Sequence, residues 1–172
     1  MKNKKILIPI LSFVIISLIL IFLFSGNSPE KIAAKNRKAR FEFNYEEYLK
    51  TYPEFTLTKF KKEADVSENA SIEETAKKLK EGISAEIDVK ILKTKTMKKE
   101  EVDDYTLYND LKEEYQEMTT DDFQKISQSA VVRVDYERIS KDRTWVESDE
   151  LLCVKMGTKW YVMLELSTSS ED

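Results

Sequence analysis

The side chains able to do covalent or acid–base chemistry are few. Among 172 residues there is no histidine and a single cysteine, Cys153. That excludes Cys/His zinc sites, Ser-His-Asp and Cys-His catalytic groups, and an internal disulfide. With no base to activate it, Cys153 reads as a small core residue and not as a nucleophile. Three glycines and no G-x-x-x-x-G-K pattern leave no loop to cradle a phosphate. What remains is a group of carboxylates late in the chain, Asp135, Glu137, Glu147, Asp149 and Glu150, with one phenol among them, Tyr136. A carboxylate works as an acid or base only where burial or a neighbouring charge shifts its pKa. Residue types alone assign no catalytic, cofactor-binding or metal-binding residue.

The elements that would place these acids are legible as alternation. Ala130, Val132, Val134 and Tyr136 alternate with Val131, Arg133, Asp135 and Glu137, the period of a half-buried strand. A turn at Ser140–Arg143 leads into a strand from Trp145 to Val154, and Gly157-Thr158 turns the chain into a third strand from Trp160 to Leu166. Two-residue hairpin loops set Val132 across from Leu151 and Leu151 across from Leu164, with Ala130, Cys153 and Val162 as the next row. Asp149 then faces Val134 on an apolar face that should receive a helix. Burial there would raise its pKa, and an open sheet end would leave it solvated. On the other face Arg133 opposes Glu150, but Leu152, Val154, Tyr161 and Met163 also lie there. That is more apolar surface than a solvated face needs, so these four, with Asp149 and Tyr136, are the candidate pocket or interface.

Upstream the period is helical. Ser28-Pro29-Glu30 supplies a hydroxyl cap, a proline at the first helical position and an acid in the first turn. The helix is expected to run past Arg40, break near Asn44 and end before Pro53, with Phe41, Tyr45, Tyr48, Leu49 and Tyr52 on one core-facing side. Residues 56–70 read as a polar loop. Ser71-Ile72-Glu73-Glu74 is a capping box that starts another helix, with Gly82 near its end. Residues 86–91 alternate as a strand, and Val102, Tyr105, Tyr108, Leu111, Tyr115 and Met118 recur at helical spacing.

Ahead of all this, residues 6–24 form 19 uncharged residues, about 28 Å as a helix, close to the thickness of a bilayer core. The run exceeds a secretory h-region, and Pro29 would follow the only small-residue cleavage site, so an uncleaved anchor is expected. Lys2, Lys4 and Lys5 precede the span, and the C-terminal domain is expected outside the cytoplasm, although five cations follow the span closely. Those cations, Lys31, Lys35, Arg37, Lys38 and Arg40, share residues 30–40 with one acid. They read as a solvated stalk, or as a contact with anionic headgroups or an acidic wall polymer. The net charge of −4 argues against nucleic acid as a partner. The organisation expected is a basic tail (1–5), the anchor (6–24), a basic and aromatic helix (25–55), a loop (56–70), an α+β domain (71–166) and a polar tail (167–172).

Helices, a strand, a helix and three consecutive antiparallel strands make an α+β fold. The expected order is α-α-β-α-β-β-β, a transmembrane helix followed by helices packed on one face of a curved sheet of about four strands. The closing hairpin, Leu152-Cys153-Val154-Lys155-Met156-Gly157-Thr158-Lys159-Trp160-Tyr161-Val162, with the strand–helix–strand before it, resembles the nuclear-transport-factor-2-like (cystatin-like) superfamily. The nearest likeness is to its small single-span bacterial membrane proteins of unknown function, and it covers residues 70–166. The resemblance implies a cone-shaped domain. Histidine-based members of that superfamily cannot be matched here, whereas a version using an Asp base beside Tyr donors can. The anchor, the missing catalytic groups and the apolar surplus on the second sheet face together point to a non-catalytic interaction module outside the membrane, bound to another envelope protein or to itself, without a cofactor. The alternatives are a small-ligand-binding or carboxylate-based enzyme in the cone, and, by shared architecture, a bridging subunit of a conjugation or secretion channel.

Overall fold

The computed structural model describes residues 28–101 and 105–166. The expected span at 6–24, with residues 1–5, 25–27 and 167–172, lies outside them. Among the described residues no helix is long and apolar enough to cross a membrane.

Helix α1 runs Pro29–Phe41 and starts as its sequence dictates, with the Ser28 hydroxyl accepting from the Lys31 amide and proline in the first turn. At Asn44 the chain breaks, its side chain accepts from the Glu47 amide, and α2 follows over Tyr45–Leu49. The 56–70 segment is not the loop expected. A 3₁₀ turn at Glu54–Thr56 leads into α3, Leu57–Glu63, and Thr56, Leu57, Phe60 and Ala70 are buried. With only Leu57 and Phe60 buried among its seven residues, α3 is held by tertiary contact: the Phe60 ring lies 5.8 Å from Tyr48 and 4.8 Å from Tyr52. Helix α4, Ile72–Lys80, has the Ser71 cap accepting from the Glu74 amide.

Four antiparallel strands form one sheet in chain order: β1 Asp88–Glu101, β2 Ile126–Ile139, β3 Thr144–Met156 and β4 Lys159–Leu166. Strand β1 is far longer than the 86–91 segment expected. Its lysines hide the alternation, and two bulges, at Leu92 and Met97, interrupt it. Between β1 and β2 lie α5, Tyr105–Glu114, and a short helix the alternation did not suggest, α6, Thr120–Gln124, with a full capping box between Thr119 and Asp122.

The β2–β3 register is the expected one: Val132 pairs Leu151, Arg133 pairs Glu150 and Val134 pairs Asp149. The β3–β4 register holds at Cys153–Val162 and then slips at a bulge between Leu152 and Cys153. Leu164 therefore pairs Leu152, and Leu151 meets Glu165 instead of Leu164. The extra residue, Met163, and its neighbour Leu164 both join the far face, which places Glu165 on the near one.

Helices cover both faces, not one. On the near face, Ala33, Ala39, Tyr48, Leu49 and Ala76 of α1, α2 and α4 pack on Val132, Val134, Leu151 and Val162. The helix expected as a juxtamembrane stalk thus shares the core of the sheet. On the far face, Leu111, Tyr115 and Met118 pack on Ile126, Leu152, Val154 and Met163. This second core answers the surplus of apolar side chains on that face. Cys153 is buried, 3.8 Å from the Pro29 carbonyl, and burial pushes its thiol up to about 12.

Candidate functional site

Where α1 crosses the far ends of β2, β3 and β4, the structure gathers three arginines and three carboxylates. Arg37 is fully buried. Its Nη1 lies 3.0 Å from Asp149 Oδ2 and 3.1 Å from Glu165 Oε2, and its Nε donates to Asn36 Oδ1 at 3.2 Å. Asn36 in turn donates to Thr51 Oγ1 at 2.8 Å, and Thr51 donates to the Tyr48 carbonyl at 2.6 Å. A polar thread therefore runs through the near-face core. Arg40 pairs with Glu165 from the rim.

The phenol of Tyr136 points to the same place. Its oxygen lies 2.8 Å from Asp149 Oδ2 and 3.0 Å from Glu147 Oε2, one hydrogen shared between the two carboxylates, and Glu147 is bound in turn by Arg138 at 2.8 Å. One aromatic ring ties these groups together. Phe41 stacks on Tyr136 at 5.2 Å, and the guanidinium carbons of Arg37, Arg40 and Arg138 lie 5.8, 5.5 and 4.8 Å from its centre. Among the described residues, Arg37 Nη2 and Arg138 Nε are buried without a hydrogen-bond partner.

The electrostatics follow from this packing. Burial works against ionisation of Glu165, but Arg37 and Arg40 outweigh it and hold the carboxyl below its ordinary 4.5. Burial, reinforced by Asp149 and Glu147, pushes the Tyr136 phenol well above its ordinary 10.0. A phenol held in that form is a hydrogen-bond donor. Asp149 accepts from both Tyr136 and Arg37 through the same oxygen, Oδ2. The arrangement is built to hold a helix on a sheet.

Sequence reasoning placed Asp149 and Tyr136 together, and the structure brings them into contact. It did not foresee Arg37 as their partner. The signal was available: Ala33, Asn36, Arg37 and Arg40 recur at helical spacing, and Ala33 and Ala39 mark a closely packed side. Glu165 could not be found in this way, because only the β4 bulge places it near Arg37. The other candidates separate from this cluster. Leu152, Val154 and Met163 lie in the far-face core. Of the five cations read as a stalk, Lys35 pairs Glu47, Lys38 pairs Glu42, Arg37 and Arg40 belong to the cluster, and Lys31 is exposed. Arg37, with no exposed surface, cannot touch headgroups or a wall polymer.

The main groove lies elsewhere. Its volume is about 1150 Å³, with Ile32, Tyr52, Leu57, Ile72, Trp160 and Tyr161 among its walls and Lys61, Lys155 and Lys159 at its rim. Of the candidate residues, Tyr161 lines it; Asp149 and Tyr136 do not. Among the described residues no group of three or more Cys, Asp or Glu is placed to hold a metal ion. No protein-family profile, no characterised protein and no solved structure matches the chain.

Proposed function

We propose that this chain is a membrane-anchored, extracytoplasmic interaction module without catalytic activity, bound to another envelope protein or to a copy of itself. The observation that carries this reading is the commitment of the acids. Asp149, Glu147 and Glu165, the carboxylates gathered beneath α1, are each bound by an arginine. Asp149 does not line the groove, so a substrate held there would not meet it. The exposed apolar side chains Leu92 and Met97, both at bulges of edge strand β1, suit contact with a partner.

A photoreactive residue at position 92 or 97 of the full-length chain in its native membrane should give a discrete cross-linked species. A reporter active only outside the cytoplasm, fused after Asp172, should be active. A silent reporter would reverse the orientation, and cross-linking indistinguishable from that of exposed Lys141 would remove the β1 interface. The groove favours a second reading, a module that binds a small amphiphile. Turnover abolished by Asp149→Asn in a folded protein would replace both with a carboxylate enzyme.

A further inference from the structure

The groove and the place where the chain leaves the described residues lie at the same end of the molecule. Helix α1 and strand β3 are antiparallel neighbours: the Pro29 carbonyl is 3.8 Å from Cys153 Sγ, and Arg37 is 3.0 Å from Asp149. Between those contacts the helix advances about 12 Å and the strand about 13 Å, so the two axes run side by side. The N-terminus of α1 consequently points toward the β3–β4 turn at Gly157-Thr158. From Cys153 that turn projects about 13 Å further. Residues 25–27 alone separate the apolar run from Ser28, a reach of about 10 Å when extended.

The turn is shaped for such a position. Gly157 takes φ +60 at the first central position of the hairpin loop, where glycine is favoured. Lys155 and Lys159 flank it, and Lys31 lies in the first turn of α1, beside Ile32 of the groove wall. Among the described residues Lys31, Lys155 and Lys159 have no ion-pair partner, in contrast to Lys35, Arg37, Lys38 and Arg40. Other rim lysines are occupied: Lys50 by Glu46 and Glu47, and Lys61 by the Glu68 carbonyl. Among the described residues Glu54 is the one acid in the groove wall. Tyr161 adds an amphipathic ring of the kind that settles at a membrane–water interface.

We propose that the β3–β4 turn and the mouth of the adjoining groove face the bilayer and bind anionic lipid headgroups through Lys155 and Lys159. This assigns the headgroup contact to the hairpin and to Lys31, in place of the rest of the basic helix. It rests on residues 6–24 being a membrane span. Each lysine drawn to an anionic surface is expected to favour contact about fivefold.

The full-length chain, placed in lipid nanodiscs of phosphatidylcholine with and without phosphatidylglycerol, tests the proposal by acetylation of its lysines, read by mass spectrometry. Labelling of Lys155 and Lys159 should slow at least fivefold when phosphatidylglycerol is present and recover in high salt. Exposed Lys77 and Lys141 should be unaffected. Equal rates in the two lipids, or an equal slowing at Lys141, would overturn the proposal. Flotation with pure phosphatidylcholine vesicles reads the span separately: a chain that does not float loses both the anchor and this site. A chain that floats but labels identically in both lipids keeps the anchor and loses only the site.

Discussion

On the near face of the sheet, Val132, Val134 and Leu151 share their core with Arg37, Asn36 and Thr51, all fully buried. On the far face, Leu152, Val154 and Met163 meet Leu111 and Met118, with the hydroxyl of Tyr115 satisfied by the Met163 carbonyl. The near face thus adds directional, charged contacts to its apolar core, whereas the far face is joined by apolar burial. A buried ion pair gives little net stability compared with well-packed hydrophobes, yet breaking it by removing one partner is severe. What the near-face cluster supplies is a fixed register of α1 on the strands: Arg37 meets Asp149 and Glu165 in one position only. A helix as basic as α1 needs such a lock, since Ile32, Ala33, Ala39 and Phe41 give it only a narrow apolar strip to lay against the sheet.

The sharpest break in this contrast is Arg37→Ala. It leaves Asp149 and Glu165 without their buried partner, and should cost about 3–5 kcal/mol, seen as a lower midpoint in denaturant. Leu111→Ala on the far face should cost about 2–5 kcal/mol through its cavity. The two should differ in kind. Losing Arg37 should free α1, exposing Cys153 to thiol reagents, whereas losing Leu111 should leave Cys153 protected at denaturant concentrations where the fold persists. Equal thiol reactivity in the two variants would show that the faces do not behave separately. Tyr115→Phe should cost about 1 kcal/mol, the loss of one buried hydrogen bond, by the same denaturant measurement.

The smallest effect is a pH dependence. The carboxyl of Glu165 lies below its ordinary 4.5 in the folded chain. In the pH range between the two values the unfolded chain holds the proton and the folded chain does not, so stability rises with pH. Its contribution is complete above about pH 4.5 and is lost as the pH falls through the folded value. Glu165→Gln should flatten that acid limb in urea titrations at a series of pH values. Leu111→Ala should shift the whole curve and leave the limb unchanged. A limb unaltered by Glu165→Gln would remove Glu165 from the cluster.

Elements governed by neighbours in sequence were readable in advance. The Ser28 and Ser71 caps, the break at Asn44, the β2–β3 register and the aromatic side of α1 and α2 all depend on spacing within one segment or one hairpin. Helix α3 was missed because its two buried residues, Leu57 and Phe60, make too short a pattern. It is ordered by Tyr48 and Tyr52. Of the candidate site, Asp149 and Tyr136 came from alternation alone, while Arg37 read as a stalk cation because its charge suggested solvent.

Composition and periodicity were enough to settle that this chain lacks histidine chemistry, forms helices and an antiparallel sheet, and places Asp149 on an apolar face. Such properties follow from residue types and from backbone periods of two and 3.6, which act over a few residues. Folding in three dimensions decided that both faces are covered, that Arg37 is buried, and that one extra residue in β4 turns Glu165 toward it. The physical reason is range. A bulge reverses the facing of every later side chain on its strand, and a buried charge is tolerable only beside partners 112 and 128 positions away, which no local pattern encodes.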